Sequence, residues 1–295
     1  MPNTPTPLPA SVLVDTGNGG LDRVLISAPT GSAEIYLQGA HITAFTPTGA
    51  DRVIWMSEQA QYAPGKALRG GVPICFPWFA ANKADATAPA HGFARVTPWE
   101  LVDAHEIDDT VAVTFRLTDS DATRASAWPH KFEAHYTVTV GAELALTLTV
   151  TNLDDSSFAF EEALHTYLAV GDIRSVEIGG LEAFDYFDKV TGTEKKATGT
   201  PITFAGETDS VYAGAAPTAT VVDRSENGRA IAIDSEGSGS TVVWNPWIDK
   251  AAGMSDFGDN EWPTMVCVET SNVGEAAITL PPGASHIMSA RYRLA

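Results

Sequence analysis

Tyr136-Thr137-Val138-Thr139-Val140-Gly141-Ala142-Glu143-Leu144-Ala145-Leu146-Thr147-Leu148-Thr149-Val150 decides the fold class of this chain. Tyr136, Val138 and Val140 fall on one side of an extended backbone. Leu144, Leu146, Leu148 and Val150 resume the alternation after Gly141-Ala142-Glu143. Successive strand side chains point to opposite faces, so apolar residues at every second position describe two strands with one buried face, joined by a turn.

Working outward, the same alternation recurs at Ala33–Leu37, Val111–Leu117, Ala230–Ile233 (before the turn Glu236-Gly237-Ser238-Gly239) and Ser285–Leu294. Short strands separated by turn residues predict an all-β protein, a sandwich or a related all-β architecture. Residues 1–10 carry four prolines and no apolar pattern, and read as a loose tail. No repeat of fixed period and no Pro/Gly/Ser-rich linker divides the remainder, so residues 11–295 read as one domain. In Ser157–Val170 the periodicity fits two structures. Phe158, Phe160, Glu162 and Leu164 alternate as in a strand, while Phe160, Leu164 and Leu168 share the spacing of a helix face. The all-β context favours the strand.

Composition narrows the function. Charged residues make up 19% of the 295, below the usual quarter, and the net charge is -19. Nucleic-acid binding rests on Lys and Arg neutralising phosphates, and no basic run exists to provide it. An acidic surface repels anions at long range, so an anionic substrate requires a local cationic cluster. Cys75 and Cys267 sit in apolar surroundings and read as buried thiols rather than a disulfide scaffold. There is no basic segment followed by an apolar stretch and no apolar run of bilayer length. A cytoplasmic protein without a membrane partner is expected.

Four segments carry candidate chemistry. Thr264–Thr270, read as a strand, puts Met265, Cys267 and Glu269 on one face and Val266 and Val268 on the other. A carboxylate at the end of such a strand is either a solvated edge residue or a desolvated general base with a raised pKa. His165, in Glu161-Glu162-Ala163-Leu164-His165-Thr166-Tyr167, is either a satisfied core histidine or a group that moves protons near neutrality. As a strand residue it shares a face with Glu161, Ala163 and Tyr167. As a helix the segment would instead offer Glu162 and His165 as a Glu-x-x-His metal pair, but that motif needs a second copy, and no metal is expected.

The third segment, Gly65–Phe79, gathers Gly70, Gly71, Pro73, Pro77 and aromatics around Arg69. It lacks the Lys-Ser/Thr of a phosphate-binding P-loop. Arg69 either stabilises a structural loop or presents its planar fork to ligand oxygens. His91-Gly92-Phe93-Ala94-Arg95 again joins a His, a Gly and an Arg. Trp244-Asn245-Pro246-Trp247 and the acidic run Asp256–Pro263 read as long loops, the latter without the carboxylate spacing of an EF-hand.

Together these segments resemble the aldose 1-epimerase superfamily, and within it the hexose-6-phosphate mutarotase branch. The resemblance rests on Leu68-Arg69-Gly70-Gly71-Val72-Pro73 with Phe76-Pro77-Trp78-Phe79, then His91–Arg95 and Ala163-Leu164-His165-Thr166-Tyr167. Glu207-Thr208-Asp209-Ser210-Val211-Tyr212, Trp244–Trp247 and Val268-Glu269 follow in the family's order. It implies one large antiparallel β-sandwich of the galactose mutarotase type that interconverts α and β sugar anomers without a cofactor. By motif match His165 resembles the family's general acid and Glu269 its general base. His91 and Asp209 resemble the groups that hold hydroxyls or the ring oxygen. Arg69 and Arg95 are the matching cations for a phosphate, with Lys83 a weaker candidate. Members often carry Arg where this chain has Ser210, a departure that bears on phosphate selectivity.

The resemblance implies a small sugar or sugar phosphate as partner, and a monomer is expected. Two other functions fit the same residues: an epimerase of unphosphorylated hexoses, and a sandwich that binds carbohydrate without acting on it. A glycosidase would need a second carboxylate paired with Glu269, and none is persuasive.

Overall fold

The hairpin read from the sequence is present. In the computed structural model, which describes residues 8–226 and 228–295, Phe132–Val140 pairs antiparallel with Leu144–Asn152. Tyr136, Val138, Val140, Leu144, Leu146 and Val150 are fully buried. Full burial of a large apolar side chain contributes roughly 1.5–3 kcal/mol, and a one-residue slip would turn the whole row to solvent. Register is therefore fixed by the pattern itself.

Around this hairpin forms a nine-stranded antiparallel sheet. Its order is Ile202–Thr203, Val176–Gly179, Thr218–Asp223, Ala230–Glu236, Ser285–Leu294, Leu144–Asn152, Phe132–Val140, Thr110–Thr118 and Glu100–Ile107. A second sheet of eight strands runs Thr193–Lys195, Tyr186–Asp188, Thr208–Tyr212, Ser240–Asn245, Met265–Asn272, Glu162–Leu164 and Ile74–Cys75. Tyr167–Ala169 pairs beside these on Met265–Asn272. A four-stranded sheet holds Val12–Thr16, Asp22–Ala28, Gly31–Tyr36 and His41–Pro47. One continuous hydrophobic cluster joins residues of all three sheets. Most of the segment read as a tail, residues 1–7, lies outside the described residues.

Met265–Asn272 is the axis of the second sheet, and both of its faces are buried. Thr270 points at the nine-stranded sheet, its hydroxyl 2.9 Å from that of Ser235, and the Asn272 amide reaches His286. Alternation then sends Met265, Cys267 and Glu269 to the opposite face. Glu269 is not at a strand end as the sequence suggested. The strand continues through Thr270, Ser271 and Asn272, and Glu269 sits in its middle with 1% exposure. The solvated-edge alternative is thereby excluded.

Ser157–Val170 is extended, in three pieces: Phe158–Phe160, Glu162–Leu164 and Tyr167–Ala169. Glu162 and His165 consequently face opposite ways, and the helical metal pair does not exist. Glu162 lies fully buried between the sheets, where it accepts from the Asn272 amide at 2.9 Å and stands 3.1 Å from His286 Nε2. Trp244–Trp247 is not a long loop either. Trp244 and Asn245 finish a strand, and Trp247 begins the short helix Trp247–Ala252. Among the described residues no helix is long and apolar enough to cross a membrane.

The hydrogen bond to Glu162 raises the His286 pKa above its usual range, against a smaller opposing effect of burial. A raised histidine stabilises the fold fully below its unfolded value of about 6.5, and the contribution is lost as pH rises through the folded value. The melting-temperature advantage of the protein over its His286→Gln variant should be largest in mild acid and narrow as the pH climbs. A gap that stays constant across that range would contradict an ionised pair.

Candidate active site

The break between Glu162–Leu164 and Tyr167–Ala169 creates the site. Leu164 is opposite Thr270 on the long strand, so the next residue, His165, emerges beside Glu269. There the backbone leaves the sheet ladder. The His165 amide donates to Pro73 O (3.0 Å), the Thr166 amide to Leu164 O (2.8 Å) and the Tyr167 amide to Gly71 O (2.9 Å). The Gly-Gly-Val-Pro segment thus supplies the acceptors that the kink requires. Gly71 cannot be replaced without strain. Its φ is 69°, and a Cβ there would meet Ile42 O at 2.2 Å.

His165 Nδ1 and Glu269 Oε1 stand 3.4 Å apart, close enough for an ion pair but not aligned as a hydrogen bond. Neither Glu269 oxygen has a hydrogen-bond partner among the described residues. Burial, with help from the Asp209 charge, pushes Glu269 well above the usual carboxylate range, while Lys189 and Arg95 pull it back. Burial, together with His91, Arg95 and Arg69, holds His165 well below the usual imidazole range. At Glu269 desolvation outweighs the nearby cations, and at His165 the cations act in the same direction as burial.

The rest of the site is arranged around this pair. Tyr167 stacks on His165 at 5.0 Å between ring centres, and Trp244 meets both rings edge-on. The Tyr167 hydroxyl accepts from Arg69 at 3.2 Å, and the same guanidinium pairs with Asp256 at 3.2 Å. The His91 ring lies 5.7 Å from that of His165. It accepts at Nδ1 from the Ala80 amide (3.3 Å), which leaves Nε2 to carry the proton. Burial and the charges of Arg95, Lys189 and Arg69 lower the His91 pKa to about 2, so the imidazole is neutral.

Asp209 is held by Lys189 Nζ at 3.2 Å. Arg95 donates to Ala90 O (2.7 Å), buries its Nε without a partner, and has no carboxylate within ion-pair distance among the described residues. All six residues singled out from the sequence thus sit in one electrostatically coupled cluster. Lys83 does not; it is exposed in the loop between Phe79 and His91. Ser210 is buried one position past Asp209 on a regular strand, so strand alternation turns it away from the site. An arginine there would follow that direction, so the departure noted in the sequence has no evident bearing on the site.

Sequence reading missed Lys189, Asp256 and the packing of Phe79. Lys189 spans Asp209 and the Phe79 ring, 5.2 Å from its centre, and Asp256 anchors Arg69. No local pattern marks either charge, because each acquires its partner only through the tertiary fold. Tyr167 was readable as a neighbour of His165 on a strand face, but its bond to Arg69 was not.

Residues 22–293 match the aldose 1-epimerase family. The chain belongs to that family. An Escherichia coli K12 protein provisionally named glucose-6-phosphate 1-epimerase is 38% identical over 258 residues, 86% of this chain and 84% of its own length. A Salmonella typhimurium crystal structure, described provisionally as a mutarotase, superposes with a TM-score of 0.90 at 34% identity, covering 98% of this chain and 95% of that one. A galactose mutarotase-like protein from Lactobacillus casei shares the fold, with a TM-score of 0.72 at 19% identity over 92% of this chain and all of that one. The aldose 1-epimerase family is one of isomerases acting on sugars, and every residue of the cluster above lies within the matched span.

Gly92 (φ 77°) sets the position of His91, itself at φ 63°. A Cβ at Gly92 would overlap Phe76 O at 1.9 Å. Gly92→Ala should cost roughly 1–3 kcal/mol or more, since a left-handed conformation and a close approach are both violated. A denaturation midpoint equal to that of the wild type would show that the loop relaxes without cost.

Proposed function

We propose that this chain interconverts the α and β anomers of a hexose 6-phosphate, most simply glucose 6-phosphate. The observation that carries the reading is the buried pair of Glu269, without a hydrogen-bond partner, and His165, 3.4 Å away. The C1 hydroxyl and the ring oxygen are bonded to one carbon, so a base and an acid this close can serve both.

Glu269 takes the C1 hydroxyl proton while His165 gives a proton to the ring oxygen, and the C1–O bond of the ring breaks to leave an aldehyde. Rotation about C1–C2 presents the other face of the carbonyl. The ring hydroxyl then attacks, His165 recovers its proton and Glu269 returns the other to the new C1 hydroxyl. Throughout, the pair holds one proton, on His165 before ring opening and on Glu269 after it. Burial favours the neutral arrangement of the pair, and the two forms differ only in where that proton rests. His91 and Asp209 would hold hydroxyls, and Tyr167 would keep the imidazole plane fixed.

The phosphate assignment rests on Arg95, which lacks a carboxylate partner among the described residues of a chain of net charge -19, and on Arg69 near it. The provisional name of the Escherichia coli relative supports the same substrate.

Anomer exchange measured by NMR on glucose 6-phosphate, galactose 6-phosphate and glucose tests the reading. His165→Asn and Glu269→Gln should each lower exchange by about 10²–10⁴-fold while the fold is kept. Near-wild-type exchange in either variant overturns the acid and base roles. Arg95→Gln should weaken kcat/KM for the 6-phosphate by roughly tenfold or more, the worth of a charged hydrogen bond, with little effect on glucose. Equal rates for glucose and its phosphate would assign the unphosphorylated substrate, and binding without exchange would leave only a carbohydrate-binding protein.

A further inference from the structure

The mechanism leaves one group of the site unused. Cys267 lies two residues before Glu269 on the same strand face, fully buried and not in a disulfide. One donor atom from each of His165, Cys267 and Glu269 lies within 4.8 Å of the others. Two of these side chains are also unsatisfied. Both Glu269 oxygens and His165 Nδ1 are buried without a hydrogen-bond partner among the described residues, and Nδ1 stands 3.4 Å from Oε1.

We propose that His165, Cys267 and Glu269 form a capture site for a thiophilic divalent cation of the Zn²⁺ kind, and that the bound metal excludes the sugar. Imidazole nitrogen, thiolate sulfur and carboxylate oxygen are the three donor types zinc prefers, at about 2.0–2.3 Å. Tetrahedral geometry at those lengths puts donors somewhat under about 4 Å apart, so rotamer shifts of roughly 1 Å would close the triangle. The fourth corner remains for water.

Charge balance favours this occupant. Coordination releases one proton from the thiol and one from the His165–Glu269 pair, and the cation with thiolate, carboxylate and neutral imidazole forms a cluster without net charge. A neutral cluster suits a buried position better than an isolated ion does. Arg69, Arg95 and Lys189 oppose the incoming cation, and Asp209 favours it. Mg²⁺ lacks affinity for sulfur and requires six oxygen ligands, so it is the matched negative control. The metal is an inhibitor here and not a cofactor, because its bonds occupy both groups that must move protons.

The test titrates the purified protein with CoCl2 and ZnCl2, with MgCl2 as control. Cobalt bound by the trio should give thiolate-to-metal absorption that fades as glucose 6-phosphate is added. Zinc should inhibit anomer exchange competitively. Cys267→Ser should keep wild-type exchange, lose the cobalt band and need roughly 10–100-fold more zinc for the same inhibition. Cys267→Ala replaces it if the serine disturbs the strand. A cobalt band that survives in both Cys267 variants, or that is lost in Cys75→Ser instead, overturns the assignment.

Cobalt absorption needs no turnover, so the outcomes separate. A band without anomer exchange would sink the mutarotase reading and leave the metal site. Exchange without a band would sink the metal site alone.

Discussion

The structure depends on keeping Glu269 buried without a hydrogen-bond partner. An unsatisfied buried polar group costs about 1–3 kcal/mol, and more when it is charged. The long strand that carries it meets that cost through burial on both sides. Val266 and Val268 pack into the space between the sheets, and Met265 and Cys267 are fully covered on the other face. Thr270, Ser271 and Asn272 are buried as well, yet their polar atoms find Ser235, Ser240 and Glu162. Satisfaction is nearly complete along this strand except at the one carboxylate whose partner is expected from outside.

Around that carboxylate the charges are graded. Arg69 is matched by Asp256 and Lys189 by Asp209, so two of the three nearby cations are already engaged. Arg95 is left to act on whatever enters. Desolvation sets the direction at Glu269 and His165, and the surrounding charges modify it. His91, beside His165, is held neutral by burial and by the same cations.

The fold was legible wherever its cause was local. Alternation over Tyr136–Val150 and the turn at Gly141 carry their own register, and the two strands follow it residue by residue. The interruption at His165 was not legible, because it is fixed by acceptors on Gly71 and Pro73, far back in the chain. Glu269 looked like the end of a strand because the residues after it are polar, and polar residues normally mark an exposed edge. Trp244–Trp247 looked like a loop because Asn-Pro is a turn dipeptide. Instead the Asn245 amide is buried and donates to the carbonyls of Trp262 and Met265. The six candidate residues on recognisable motifs were named from the sequence and lie together in the fold, whereas Lys189 and Asp256 owe their place to partners that no spacing reveals.

The two-sided burial of Met265–Asn272 makes this strand a ruler for sequence change. Its odd-numbered side chains share the face of Glu269 and its even-numbered ones face the interface between sheets. Inserting or deleting one residue between Val266 and Glu269 would exchange the two sets, driving the carboxylate into the apolar layer and a valine into the site. Length variation must then collect elsewhere, in loops such as 80–90 and 255–261, which can lengthen without altering parity. The burial and facing of Glu269 are therefore insulated from drift in chain length, while the loops around the cluster remain open to it.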